Sequence, residues 1–438
     1  MAKALPTIPR SAASFSINMI AVVAYCISIY FLRLNHIAPY WGTIISVAVL
    51  AAMIMILEKI KMRGIHRISS GIDFSQGHEI SVKRVLIKLL GLYFTIGLVA
   101  FCYWLLPHYD SALYKMYFKF CFMLLPIILI GSIPYFFILD KFMKEPRDGH
   151  WHVGMLLLGK WKETDKFILK NHFLGWVVKA FFLALMFPAL LNNTGIMMNK
   201  SFADSLNIFP SFYDYVYNFI FSVDLVFVCA GYLLTLKIFD SHIRTVEPSI
   251  LGWLVALQCY QPFWGFTEQN YLMYQDSYYW GHMIIPTGSK ALYSVYGSII
   301  LILFTIYSLA SVAFGLRFSN LTNRGIITNG PYRWMKHPAY IAKNLAWWMI
   351  SVPFISMESW QKALQHSLLL LALNVIYYLR AVTEERHLSL DPTYVKYARA
   401  LNEKGIFRGL YRLFPKLKYD EKRFIDENGK MKKFLFYA

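Results

Sequence analysis

Apolar and polar positions along the 438-residue chain fall into long blocks. Apolar runs occupy 15–32, 41–57, 85–106, 116–139, 173–191, 216–239, 248–263, 291–316, 337–357 and 363–379, the seventh being the shortest. A helix needs roughly 20 mostly apolar residues to cross about 30 Å of hydrocarbon. The runs are continuously apolar and rich in Leu, Ile, Phe and Ala, without the alternation of a membrane barrel. Backbone groups in lipid must be satisfied within their own segment, so the pattern predicts an all-α, polytopic membrane protein of about ten transmembrane helices.

Composition agrees: 57% hydrophobic residues, 16% charged residues and a mean hydropathy of +0.43 are too apolar for a soluble chain of this length. Orientation follows from the basic residues, which are retained on the cytoplasmic side. With the N-terminus inside, the inner loop 58–84 carries Lys59, Lys61, Arg63, Arg67, Lys83 and Arg84. The next inner loop, 140–172, carries Lys141, Lys144, Arg147, Lys160, Lys162, Lys166 and Lys170. The outer loops 107–115 and 192–215 hold one lysine each, Lys115 and Lys200. Both termini are therefore expected in the cytoplasm. Much of the net charge of +19 lies in these inner loops and in the tail 393–438, which has twelve Lys or Arg against five acids. A basic tail is drawn to anionic headgroups by roughly 1 kcal/mol per residue near the surface. Topology accounts for the charge, and no nucleic-acid partner is expected. The first run lacks a clear small-residue cleavage site and is long enough to be a span.

Polar features interrupt the N-terminal half. Lys179 and Asp224 lie inside the fifth and sixth runs, where an ionisable group costs ~2.5–3.5 kcal/mol on insertion scales. They are expected to pair across a hairpin or to face a solvated cavity. RDGHWH, residues 147–152, offers two histidines and Asp148, short of the three or four protein ligands of a zinc site; no metal is expected. The loop 266–282 reads as an interfacial aromatic belt, with Glu268 and Asp276 as exceptions. Cys26, Cys102, Cys121, Cys229 and Cys259 fall singly inside the runs and read as packing residues.

Richer chemistry follows residue 317. GPYRWMKHPAYIAKN, residues 330–344, loads the start of an apolar run with Arg333, Lys336, His337, Lys343 and Asn344. Asn329-Gly330-Pro331 is a turn signal. Pro338 suits the first turn of a helix, which leaves His337 at an N-terminus where free N–H groups and the dipole favour an anion. Tyr340, Lys343, Asn344 and Trp347 recur at spacings of three and four and share one face. Arg380 and Glu384, four apart, do the same where the tenth run ends. Each residue alone has a structural reading: a snorkelling arginine, its glutamate partner, a capping histidine. Two such clusters meeting at one membrane face, one helical hairpin apart, point to a site. A change of character near 247 divides an N-terminal module of about six helices (1–246) from a C-terminal core (247–401) and a basic cytoplasmic tail (402–438).

The ordered set GPYRWMKHPAY, then RAVTEERHL, then TYVKY resembles the C-terminal core of the isoprenylcysteine carboxyl methyltransferases. More loosely it is similar to membrane phospholipid methyltransferases and sterol reductases. The resemblance covers about 317–401. It implies transfer of a methyl group from S-adenosylmethionine to a membrane-embedded amphiphile, either an isoprenylcysteine-type carboxylate or a lipid headgroup, at a site facing the cytoplasm. It further implies that Gly325, Ile326, Ile327, Tyr332, His337, Pro338, Ala339, Tyr340 and Glu384 line the cofactor pocket. Glu384 would bind the cofactor's ammonium, while His337 and nearby N–H groups would bind its carboxylate. Arg380 would face the acceptor and, with Glu384, form the catalytic pair.

Three departures stand out: Lys336 replaces an arginine, Arg317 stands near where these enzymes use a glutamine for the cofactor, and Lys343-Asn344 replaces a small or apolar pair. The last makes Lys343 and Asn344 expected acceptor-binding residues beside Arg380. Displacement at a sulfonium needs no metal and rests on alignment of donor and acceptor. A nicotinamide-dependent, sterol-reductase-like enzyme is the alternative, although the spacing from Arg380 to Glu384 sits closer to the methyltransferases. A transporter or scaffold is the third reading, and it predicts that both C-terminal clusters are dispensable.

Overall fold

In a computed structural model of the chain, the structure describes residues 7–62, 69–267, 269, 280–281, 288–356, 359–426 and 431–432. Arg63, Arg67, Glu268, Asp276 and Met357 lie outside the described residues. Helices dominate: α1 (Phe15–Leu34), α2 (Pro39–Lys61), α3 (Val82–Leu105), α4 (Lys115–Phe142), the short α5 (Gly149–Leu157), α6 (Lys166–Asn199) and α7 (Phe209–Leu233). After these come α8 (Ile250–Leu257), α9 (Lys290–Phe314), α10 (Pro338–Ser351), α11 (Trp360–Leu388) and α12 (Pro392–Lys404). Local chemistry sets their starts. Ser81, Asp148, Asp165, Ser289, Ser359 and Asp391 each accept a backbone N–H of the following turn, and Pro39, Pro338 and Pro392 open helices where a missing N–H is no loss.

Among the described residues, eight helices are long and apolar enough to cross a membrane: α1, α2, α3, α4, α6, α7, α9 and α11. The fold is an all-α polytopic membrane protein, with two of the ten predicted spans realised differently. The stretch 248–263 forms only the eight-residue α8, about 12 Å long at 1.5 Å per residue, because the polar Gln258-Cys259-Tyr260-Gln261-Pro262 follows it. The stretch after His337 forms the 14-residue α10, about 21 Å, closed by Val352 at φ 42° and by Pro353. Conversely α11 runs past Leu379 to Leu388, so Arg380 and Glu384 sit within the helix rather than at its exit.

The main core joins both halves of the chain. Ile17, Ala21 and Tyr25 of α1 and Leu50 and Ile54 of α2 pack with Phe187, Val226 and Cys229, with Val312 near the end of α9 and with Leu316 just beyond it. A two-stranded antiparallel ribbon, β1 (Thr245–Val246) and β2 (Thr322–Asn323), pairs Thr245 with Asn323 and Val246 with Thr322. It fastens the segment after α7 to the segment after α9. Beneath it Arg317, 1% exposed, is held by Glu58 at 3.0 Å and Asp240 at 3.7 Å, which brings the ends of α2, α7 and α9 together at one face of the bundle.

Lys179 and Asp224 do not pair with each other. The Lys179 ammonium stands 3.5 Å from the Trp176 ring centre, and Asp224 accepts the Tyr307 hydroxyl at 3.2 Å. In RDGHWH, Asp148 caps α5 through Trp151 N–H and lies 3.6 Å from Lys88. Burial raises the Asp148 carboxyl, but the His150 ring 3.8 Å away and the Lys88 charge outweigh it and hold the group below the ordinary range. His150 stacks edge-on against His172 at 4.9 Å.

Candidate active site

At the same face, the segment 319–327, the turn 330–333, the start of α10, the last turns of α11 and the start of α12 line a cavity that opens to the surface. Gly325, Ile326, Ile327, Tyr332, His337, Tyr340, Arg380 and Glu384 all line it. Pro338 and Ala339 occupy the first turn of α10 without lining it, and neither do Lys343 and Asn344, one turn deeper.

Arg380 is 8% exposed. Its guanidinium lies 4.9 Å from the Tyr340 ring centre, 5.4 Å from Tyr260 and 6.0 Å from Tyr377. It donates to Asn320 Oδ1 at 2.7 Å and more weakly to the Tyr260 hydroxyl at 3.4 Å. Among the described residues no carboxylate stands at ion-pair distance from it. Asn320 is itself fixed, since its backbone N–H and side-chain amide both donate to the Tyr232 hydroxyl at 3.0 and 3.1 Å. A buried guanidinium held on neutral partners retains a full positive charge facing the cavity.

One turn on, Glu384 Oε2 accepts the Tyr340 hydroxyl at 2.6 Å. Its other oxygen makes no hydrogen bond among the described residues. Successive residues on a helix diverge by about 100°, and Glu385 accordingly points to another wall. It takes Lys336 Nζ at 2.6 Å and His337 Nε2 at 2.9 Å. His337 therefore presents its ring to the cavity, stacked on Tyr340 at 5.5 Å and 6°, with Nε2 engaged behind. The GPYR turn is secured from below, where the Tyr397 hydroxyl of α12 donates to Tyr332 O at 2.7 Å. Gly325 N–H donates to Asn323 Oδ1 at 2.8 Å.

The deeper pair lies in a different environment. The Lys343 ammonium faces the rings of Trp347, Tyr307 and Trp264 at 5.0, 5.4 and 5.7 Å, a cation–π cage. Asn344 belongs to a chain of amides: it donates to Tyr340 O at 2.7 Å and accepts from Asn374 at 2.6 Å, and Asn374 accepts Trp348 Nε1–H at 2.8 Å. Such chains join helices in lipid.

Further charged groups line the wall. Arg324, 2% exposed, donates to the carbonyls of Ser241, Gly231 and Phe318. Burial, and then Arg317, push it down to about 9, so it stays charged at neutral pH. Burial raises the Glu247 carboxyl, also on the wall, against the hydrogen bonds from Ser249; His242, which does not line the cavity, is lowered by burial to about 3 with help from Lys237 and Arg244. Asn320 and Glu385 carry no motif of their own. The only sequence signal for Glu385 is the doubled glutamate, and for Asn320 there is none.

These features define a polytopic helical membrane protein with a polar cavity at one face, lined by a buried arginine and, one turn away, by a carboxylate. Residues 291–390, under a quarter of the chain, match the model of the isoprenylcysteine carboxyl methyltransferase (ICMT) family. The match takes in all but the first residue of α9 and the whole of α10 and α11. No curated protein and no solved structure matches the chain.

Proposed function

We propose that the protein transfers a methyl group from S-adenosylmethionine to the carboxylate of a lipid-modified acceptor of the isoprenylcysteine type, with the cavity opening on the cytoplasmic side. The observation that carries this reading is Arg380: a buried cation on the cavity wall, stacked among tyrosines, with no carboxylate partner among the described residues. Burying a charge in this way is costly unless an anion completes the site.

The donor set suits the cofactor. Glu384, with one oxygen uncommitted, would hold the ammonium of the cofactor. The Tyr332 ring on the cavity wall favours an adjacent sulfonium through its π face. When bound, the cofactor supplies an electrophilic methyl group. The chain's own part is alignment: Arg380 grips the acceptor carboxylate, and Asn320 fixes the guanidinium plane against Tyr340 so that the free oxygen points into the cavity. A carboxylate is already a nucleophile and requires no general base, in keeping with a His337 whose Nε2 is tied to Glu385. The cytoplasmic assignment is supported by the lysine-rich loops, which lie at the same face as the cavity.

Titration calorimetry of the purified, detergent-solubilised protein separates this reading from the reductase alternative. S-adenosylhomocysteine is expected to bind and reduced nicotinamide adenine dinucleotide phosphate not to. Binding of the nicotinamide alone would reverse the assignment.

A further inference from the structure

The loop that forms the cavity wall at 325–330 is built against a segment more than 300 residues away in sequence. Ahead of α1, Ala12 N–H donates to Ile326 O at 3.0 Å. Thr328 N–H donates to Ser11 Oγ at 3.2 Å and Thr328 Oγ1–H to Pro9 O at 2.8 Å. Asn329 Nδ2–H donates to Ala13 O at 2.6 Å. Ile8 packs into the cluster of Ile326, Tyr394 and Tyr397 that supports the loop from below.

The two glycines of the loop fit this contact. Gly325 has φ 109°, and a Cβ there would lie 2.7 Å from the Cβ of Ala12. Gly330 has φ 54°, and its Cβ would lie 2.8 Å from the Phe15 ring. Left-handed backbone favours glycine at both positions, and the approach of residues 12 and 15 leaves no room for a side chain. Hydrogen bonds to residues 9–13 engage Ile326 O, the Thr328 N–H and hydroxyl and the Asn329 side-chain amine, while Gly325, Ile326 and Ile327 line the cavity.

We propose that residues 8–13 are a strap that positions the cofactor loop, so that the segment before the first helix contributes to binding S-adenosylmethionine. This rests on the reading of the cavity given above. Ser11 and Ala12 are positioning residues: they act through Ile326 and Thr328 and do not line the cavity.

The test uses the full-length protein and three changes: Ser11→Ala, Thr328→Val, and deletion of residues 2–13. Each is expected to speed amide hydrogen exchange across 325–329 and to raise the calorimetric Kd for S-adenosylmethionine. The deletion should raise it by about tenfold, equivalent to about 1.4 kcal/mol of lost preorganisation. Thr328→Ser, which keeps the hydroxyl, should restore parental exchange and Kd, and the KM for the acceptor should stay unchanged in all of them. Should the deletion prevent folding, the two point variants carry the same comparison. Parental Kd and parental exchange in Thr328→Val and Ser11→Ala would overturn the strap while leaving the cofactor reading standing. A parent protein that binds no S-adenosylmethionine would overturn the cofactor reading and, with it, this proposal.

Discussion

Arg380→Lys separates the chemistry of a guanidinium from that of a positive charge. Lysine keeps the charge but not the planar fork or the ring stacking. In the structure the fork makes a 2.7 Å bond to Asn320 Oδ1 and lies over Tyr340. A hydrogen bond from a charged donor contributes about 1.5–3 kcal/mol, and the stacking adds about 0.5–1 kcal/mol. A point charge still attracts the acceptor, so part of this is retained. A net loss of about 2–3 kcal/mol corresponds to roughly 30- to 150-fold in kcat/KM for the acceptor. The Kd for S-adenosylmethionine should move less than about twofold, because Glu384 and Tyr340 remain in place. Initial rates with a soluble prenylated cysteine as acceptor, paired with calorimetry for the cofactor, measure the two effects separately. Asn320→Ala should give a similar loss, and the double variant should lose much less than the sum, since both changes remove one shared interaction. An acceptor kcat/KM within threefold of the parent, or an equal loss in cofactor binding, would refute the assignment of Arg380 to the acceptor.

Three further outcomes follow from the same geometry. Glu384→Gln removes the carboxylate charge from the cavity and should weaken S-adenosylmethionine binding by about tenfold or more, while Tyr340→Phe, losing one hydrogen bond of about 1 kcal/mol, should weaken it only about fivefold; calorimetry reads both. Glu385→Gln takes the buried countercharge from Lys336 and should destabilise the fold by about 3 kcal/mol, seen as a lower unfolding midpoint even without ligand. His242 is held neutral to about pH 3 by burial, against an ordinary value of 6.5. Between these values the unfolded chain binds the extra proton, so stability falls as the pH drops from 6.5 towards 3, by about 2 kcal/mol at pH 5. His242→Gln should flatten that part of a plot of unfolding midpoint against pH.

Much of the architecture was legible because the hydrocarbon thickness imposes one length on every span. The stretches 248–263 and 337–357 misled for a reason: apolar composition does not fix helix length, and α8 and α10 are ended early by the polar run 258–262 and by Val352-Pro353. Eight of the expected pocket residues converge on one cavity because a turn, a helix start and one helical turn place them locally. What could not be read was long-range. Nothing near Asn320 announces that it holds Arg380, 60 residues on. Spacing from Arg380 put Glu384 on the right face of α11, but nothing in it announced that Glu385, about 100° round the helix, would take Lys336 and His337. Lys179 and Asp224 suggested each other by charge, yet one found a tryptophan and the other a tyrosine. Lys343 likewise stands in an aromatic cage rather than on the cavity wall. The turn chemistry of Gly330 was visible in sequence, but the contact of Phe15 with it was not.

Methyl transfer itself is the most direct test. The purified protein in lipid nanodiscs is supplied with S-adenosylmethionine labelled in the methyl group and with farnesylated cysteine. The account predicts label in the prenylated product as a base-labile ester, formed by the parent and largely lost in Arg380→Lys and Glu384→Gln. Label that resists base would place the methyl on nitrogen or another atom and contradict a carboxylate acceptor. Absence of label, with both substrates bound, would contradict the central claim.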